Sequence, residues 1–295
     1  MGKNFKGLAG KLAITVFLSM LALLFISPLA ITITNSFMRE AEIYASYGMI
    51  GPNAAGMSIG NTPAYANMKL IPDMVTLKQY YTVLVKRIQF LYMFWNSVKI
   101  VLPILLGQLL TASMAAYAFS RIKFRGREKL FYIYMVVMLM PFQVTLVPNY
   151  LVAEKLGIVG NALSIILPGI FSTFGVFLLR QFMVCIPDAY AEAAQVEGAG
   201  HWTVFSRIIL PMARTGIGAL IILVFVDNWN MVEQPLIFLQ DPYRQPLSIF
   251  LSSINEGERG LAFAASAIYM APMLLMFLYG EDYLVEGIQI SGLKG

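Results

Sequence analysis

Six mostly apolar stretches, each long enough to cross a bilayer as a helix, recur along this chain. They run over Leu12 to Ile33, about Phe94 to Ser120, about Leu130 to Val147, about Ala162 to Phe182, Arg207 to about Val226, and about Leu261 to Gly280. A hydrocarbon core of ~30 Å takes roughly 20 helical residues, and inside it every backbone N–H and C=O must be satisfied by the helix itself. The stretches therefore predict an all-α polytopic membrane protein with six transmembrane helices. The chain is 58% hydrophobic and 13% charged, against a charged fraction of about 25% in soluble domains. A single membrane domain over residues 1–295 accommodates the length.

The charges between the stretches set an orientation. Lys3, Lys6 and Lys11 precede the first, which at 22 residues is longer than the apolar core of a signal peptide and reads as an anchor. The loop Arg121 to Lys129 holds five basic residues and one acidic one, the strongest cytoplasmic signal in the chain. Residues 227–260 carry Asp227, Glu233, Asp241, Glu256 and Glu258 against Arg244 and Arg259, an outer segment. Residues 34–93, punctuated by Gly51-Pro52-Asn53 and Asn61-Thr62-Pro63, are placed outside, with a short helix over Leu77 to Arg87. Both chain ends then lie in the cytoplasm, with residues 281–295 as a cytoplasmic tail. The net charge of +5 clusters beside the spans and gives no phosphate-binding face for nucleic acid.

Several spans contain an interior proline, read either as simple kinks or as sites where neighbouring helices and water satisfy freed carbonyls around a wet cavity. Gly107, Thr111 and Ala115 form a small-residue face for close helix approach in lipid.

One polar stretch stands out, residues 184–207 on the cytoplasmic side. Pro187-Asp188 starts a short helix carrying Glu192, Ala193 and Ala194. Gly198 and Gly200 end it, and a second run from Trp202 to Ile209 leads through Leu210-Pro211 into the fifth span. Ala191, Ala194 and Gly198 share one face of this helix-turn-helix. The arrangement suits a stiff knob entering a groove on a soluble partner. Any larger side chain at Gly198 is expected to cost the turn about 1 kcal/mol or more, and to clash besides.

Catalytic chemistry is sparse. The single histidine, His201, sits in an aromatic-flanked turn and reads as packing. The single cysteine, Cys185, has no partner in the chain for a disulfide. There is no metal-binding spacing, no Gly-x-x-x-x-Gly-Lys-Ser/Thr nucleotide loop and no Gly-x-Ser-x-Gly elbow. No Asp or Glu falls within the six spans, which counts against a gradient-driven carrier. At the outer end of span five, Asn228, Trp229 and Asn230 read either as interfacial anchoring or as a sugar-facing wall of a translocation path. Lys99, near the outer end of span two, reads as snorkelling or as part of that path.

The spacing Glu192-Ala193-Ala194, three residues, Gly198, nine residues, Ile208, one residue, Leu210-Pro211 resembles the coupling loop, or EAA loop, of permease subunits of bacterial ABC importers. Asn228-Trp229-Asn230 with Glu233-Gln234-Pro235-Leu236, and Asn96-Ser97 opening span two, resemble elements of the maltose-type carbohydrate branch. The ending Gly287…Gly292-Leu293-Lys294-Gly295 resembles the tail of the shorter permease of each pair, although Gly-Ile-Gln-Ile-Ser-Gly stands where Ala and Thr are usual.

The resemblance implies the type I importer permease fold in a bacterial cell membrane, and a subunit that is not an enzyme. It pairs with a second permease and receives a sugar, a di- or oligosaccharide, from an extracytoplasmic solute-binding protein. It docks on a cytoplasmic ABC ATPase dimer, where ATP and Mg bind; this chain binds no cofactor. Glu192 then anchors the knob, Ala193 and Ala194 allow close fit, Gly198 makes the bend, and Leu210-Pro211 set the entry into span five. Gly292, Lys294 and Gly295 contact the ATPase. A glycerol-phosphate or polyol substrate is the alternative within the branch.

Overall fold

The computed structural model describes residues 2–47, 69–252, 254 and 258–292, with side chains placed between residues 10 and 284. Among these the structure is helical and without strands. Gly51-Pro52-Asn53, Asn61-Thr62-Pro63, Lys294 and Gly295 lie outside the described residues. The chain forms two compact units.

The first unit comprises Met1–Phe90 and Leu251–Met270. Its long helix α1 (Gly2–Asn35) contains a span, Gly10–Asn35, with an 18-residue window in which nothing is buried by the rest of the chain. α2 (Glu40–Tyr47) and α3 (Lys78–Tyr81) follow. α3 loosens into a π-helical turn over Thr82–Lys86, so the single helix expected from Leu77 to Arg87 is divided. Polar pairs stitch the unit together. Asn35 Nδ2 donates to Tyr47 Oη at 2.7 Å, and Ser36 Oγ meets Tyr80 Oη at 2.6 Å. The Glu42 carboxylate accepts the Asp73 N–H at 2.8 Å and pairs with Lys69 at 2.9 Å. That N–H and the ammonium hold its pKa below the ordinary carboxylate value.

The second unit comprises Leu91–Phe250 and Ala271–Gly295. α4 (Ile88–Arg121) supplies its spine. Two of the six expected spans are broken. α5 (Arg127–Met138) and α6 (Phe142–Lys155) meet at 99°, so the third span does not run straight to Val147. Pro141 has no N–H to donate and pushes the preceding residue out of the helical region. It sits extended, at ψ 139°, immediately before α6. Glu154 and Lys155, expected in an outer loop, are the last turn of that helix. α7 (Leu163–Ile170) and α8 (Thr173–Cys185) continue one another as a span interrupted at Phe171-Ser172.

The fifth span also starts later than expected. His201–Met212 and α12 (Arg214–Trp229) are bent by 75°. Arg207 therefore belongs to the arm before the bend. α12 alone, 16 residues, is about 24 Å long at 1.5 Å per residue. α13 (Glu233–Phe238) and α14 (Leu247–Ser252) follow, and α15 (Arg259–Gly292) runs on past Gly280, so residues 281–292 continue its helix. Among the described residues four helices are long and apolar enough to cross a membrane, and up to six crossings result if each bent pair counts as one.

Small residues set the helix crossings in the second unit. Thr111 Oγ1 donates to the Ile170 carbonyl at 2.8 Å, and a Cβ built on Gly107 would lie 2.6 Å from Ile170 Cγ1. The expected Gly107–Thr111 face is thus where α7 seats on α4. Gly175 meets Ala112 the same way, with 3.1 Å between the two Cβ positions.

The Asn-Ser pair expected to open span two lies about two turns into α4 and is a fastener. Asn96 Nδ2 donates to the carbonyls of Tyr243 and Gln245, at 2.6 and 3.2 Å. Buried Ser97 Oγ accepts the Leu247 N–H at 2.8 Å. Ser97→Ala removes the acceptor without adding bulk and strands that N–H in the interior. It is expected to cost about 1–3 kcal/mol, read as a lower unfolding midpoint of the purified protein, whereas Ser97→Thr keeps the acceptor.

Candidate coupling site

α8 ends at Cys185, and Ile186 turns extended (φ −74°, ψ 127°) ahead of Pro187. α9 (Ala189–Val196) then runs for eight residues. Asp188 stands at its N-cap position, but its carboxylate does not cap the helix; it pairs with Arg121. At the other end the chain reverses through Gly198, whose φ of +88° lies in the left-handed region. The reversal closes two carbonyls of the last turn: Gly198 N–H donates to Gln195 at 3.0 Å and Ala199 N–H to Ala194 at 2.9 Å. Gly200 returns to extended backbone (φ −74°, ψ 165°) and opens α10 (His201–Thr203).

The segment from Val204 to Ile209 is π-helical, and α11 (Leu210–Met212) leads to the 75° bend. Leu210 is half-buried against the core and Pro211 is exposed in α11, one residue before Met212 and Ala213. Pro211 lacks the N–H that a continuous helix would use just ahead of the break.

Of the expected small-residue face, Ala191 and Ala194 turn inward, while Gly198 stays exposed. Ala191 is buried, and Ala194 and Ala199 are half-buried against the apolar core that includes Val204 and Ile209. The outward face of α9 consists of Glu192, Ala193 and Val196, which sit three and four positions apart. Val196 is 89% exposed, and Tyr190 and Trp202 are exposed beside it. Nor does a side chain at Gly198 clash within this chain. A Cβ built there has nothing within 4 Å, so the cost of substitution lies in the backbone alone.

The knob is fixed to α4 from two sides. Arg121, the last residue of α4, is only 6% exposed in its side chain. Its guanidinium donates to the carbonyl of Met183 at 2.5 Å, to that of Ile186, and to the Asp188 carboxylate. One turn earlier, Tyr117 places its ring 5.2 Å from Phe205 and its hydroxyl 3.4 Å from His201 Nδ1. His201 is thus a packing residue. Arg121 also satisfies the rule that basic residues flank the cytoplasmic ends of spans, which conceals this contact in the sequence. A second basic group, Arg180, lies with its guanidinium carbon 3.8 Å from the centre of the Phe131 ring and pairs with Glu128 at 3.1 Å.

The residues expected to face a path are placed differently from one another. Trp229 is 2% exposed, held edge-on by Phe94 at 5.8 Å and stacked on Phe225 at 5.2 Å. It is thus neither an interfacial anchor nor an open wall in this conformation. Asn228 is half-buried and Asn230 exposed; their amides donate to the carbonyls of Val224 and Val226 at 2.8 Å. Asn230 also approaches Met273 Sδ at 3.2 Å. In the Glu-Gln-Pro-Leu element, Glu233 accepts from Gln143 Nε2 at 3.1 Å and Pro235 is buried. Gly292 closes α15. Among the described residues no group of three His, Cys, Asp or Glu is disposed to hold a metal ion.

Residues 108–288 match the family described as binding-protein-dependent transport system inner membrane component. The chain is 25% identical over 288 residues to the arabinooligosaccharides transport system permease protein AraQ of Bacillus subtilis, covering 97% of this chain and 96% of that one. It is 30% identical over 198 residues to the lactose transport system permease protein LacG of Rhizobium radiobacter, covering 66% of this chain and 72% of that one. A crystal structure of a bacterial ABC transporter involved in import of the acidic polysaccharide alginate superposes with a TM-score of 0.77 at 18% identity, covering 93% of this chain and 96% of that chain, a likeness of fold. The chain belongs to the family of binding-protein-dependent transport system inner membrane components, and is a non-catalytic, membrane-spanning permease subunit of an ABC importer.

Proposed function

We propose that this chain is one of the two permeases, the shorter of the pair, in an ATP-driven importer of a di- or oligosaccharide in the bacterial cell membrane, with both chain ends in the cytoplasm. A solute-binding protein delivers the sugar at the outer face. A cytoplasmic ABC ATPase dimer, where ATP and Mg bind, receives the knob formed by α9 and the turn after it.

The observation that carries the coupling assignment is the division of α9 into two faces. Ala191 and Ala194 are spent on holding it to its own chain, while Glu192, Ala193 and Val196 are left outward and Tyr190 and Trp202 are exposed as well. An apolar surface of this kind, outside the spans and rimmed by acids, is what a docking element presents to a cleft. Glu192 supplies the polar anchor and Ala193 the close approach. Ala194 and Gly198 keep the knob's shape, and Leu210-Pro211 set its angle to α12. A contact of Gly292, Lys294 and Gly295 with the ATPase belongs to the same reading. The names of AraQ and LacG support a sugar as cargo.

The test is uptake in proteoliposomes holding both permeases, the ATPase and the binding protein. Candidate cargoes are arabino-oligosaccharides, lactose and, for the alternative, glycerol 3-phosphate. Oligosaccharide uptake that needs both ATP and the binding protein is expected. Uptake by this chain alone on an ion gradient would contradict the proposal.

A further inference from the structure

We infer that Arg121 is a positioning residue for energy coupling, a strut that makes the coupling knob and the inner end of α4 move as one body. The inference rests on reading α9 as the coupling element. It goes beyond that reading by naming the span that receives the motion and the group that delivers it.

In sequence the knob is continuous with α8 before it and with α11 and α12 after it. A push on α9 would therefore be expected to pass along those flanking spans. The side-chain contacts add a third route. Arg121 ends α4, 67 positions before its partner Asp188. Its planar fork reaches the carbonyl of Met183 in the last turn of α8, the carbonyl of Ile186 in the extended link, and the carboxylate of Asp188 at the foot of α9. These three acceptors straddle the joint between span and knob. Tied to one guanidinium, the joint cannot flex without breaking bonds to α4. Tyr117, one turn back along α4, touches the other limb of the knob at His201 and Phe205. The knob is therefore gripped on both limbs by a single helix that is distant in sequence.

Stability alone does not explain this choice. The arginine is 6% exposed while its only carboxylate partner is 77% exposed. Burying a guanidinium against two neutral carbonyls and one solvated acid recovers little of its lost hydration, and an apolar side chain of similar size packs such a site as well or better. What an apolar side chain lacks is direction. A planar fork of donors fixes the distance and angle between two backbone carbonyls and the Asp188 carboxylate. α4 is also the helix on which α7 and α8 seat through Gly107, Thr111 and Ala112, so a displacement at its inner end is carried into the packed core.

The experiment uses the complete transporter in proteoliposomes, with Arg121→Gln, Arg121→Lys and Asp188→Asn in this chain. Three quantities are read: sugar transported per ATP hydrolysed, basal ATP hydrolysis, and cross-linking of a cysteine at position 196 to the ATPase. The inference expects Arg121→Gln to keep the cross-link and basal hydrolysis while transport per ATP falls roughly tenfold, within the range of ordinary site-to-site couplings. Asp188→Asn, which leaves both carbonyl bonds in place, stays within about threefold of the parent, and Arg121→Lys falls between them. Unchanged transport per ATP in Arg121→Gln overturns the inference. So does loss of the cross-link, which would make Arg121 a residue that merely holds the knob's shape. If Arg121→Gln does not assemble, Arg121→Lys is judged by the same two outcomes. A chain carrying Val196→Cys with Arg121 and Asp188 unchanged that never cross-links to the ATPase would instead defeat the coupling reading itself, which separates the two failures.

Discussion

Replacing Gly198 with valine is expected to bring ATP-linked uptake close to background while leaving the membrane spans folded. The turn after α9 holds this residue at φ +88°, where a β-branched side chain meets its own backbone. Forcing an L-residue into that region costs of order 2–3 kcal/mol for valine. That shifts the population of the native turn by roughly 30- to 150-fold. Gly198→Ala is milder, about 1 kcal/mol, and corresponds to roughly a fivefold loss. The control lies two residues away. Gly200 also has nothing within 4 Å of a built Cβ, but its φ is −74°. Gly200→Ala is therefore expected to be tolerated, or to stabilise by about 0.4–1 kcal/mol by restricting the unfolded chain. Uptake and ATP hydrolysis of the three variants, at matched amounts of assembled complex, check the order. Equal effects at 198 and 200 would remove the left-handed turn from the account.

The second large effect is expected at Gly216, for the opposite reason. Its φ is ordinary, but a Cβ there would lie 2.5 Å from Phe182 Cγ and 3.0 Å from Phe182 Cβ. Phe182 is itself buried, so its ring cannot swing away, and α8 and α12 cross at this point. Alanine in a free helix gains about 1 kcal/mol over glycine. Overpacking costs about 1–3 kcal/mol, occasionally more, so the clash decides the sign. Gly216→Leu is expected to part the two helices and to cut the yield of folded protein and assembled complex. Gly10, also helical but with nothing within 4 Å, should accept alanine without loss. Thermal unfolding in detergent of the two variants measures the contrast directly.

These cases indicate what a sequence of this kind discloses. The helical, membrane-spanning character is legible because the bilayer fixes a length that an apolar stretch has to meet. The bends are less legible. Pro141 reads as one more interior proline, yet α5 and α6 part there by 99°, with Pro141 itself extended at ψ 139°. The 75° break at Ala213 is preceded only by Pro211.

The knob itself was legible from its glycines and alanines; its facing was not. Ala191 and Ala194 at helical spacing fit a surface that accepts a partner as well as one that packs against its own chain. Only the neighbouring Val204 and Ile209 decide for the second. Arg121 was hidden for a related reason. A basic residue at the cytoplasmic end of a span satisfies the orientation rule, so its position gives no cause to look for the carbonyls of Met183 and Ile186, more than 60 residues on.

The account stands on α9 presenting its outward face to a cytoplasmic motor. The most direct measurement places a cysteine at Val196, 89% exposed, in a chain whose exposed native Cys185 has been replaced by serine. In the assembled transporter that cysteine should cross-link to the ATPase and be shielded by it from thiol reagents. Labelling from outside intact cells by a reagent that does not cross the membrane, or free reactivity unaffected by the ATPase, would contradict the account.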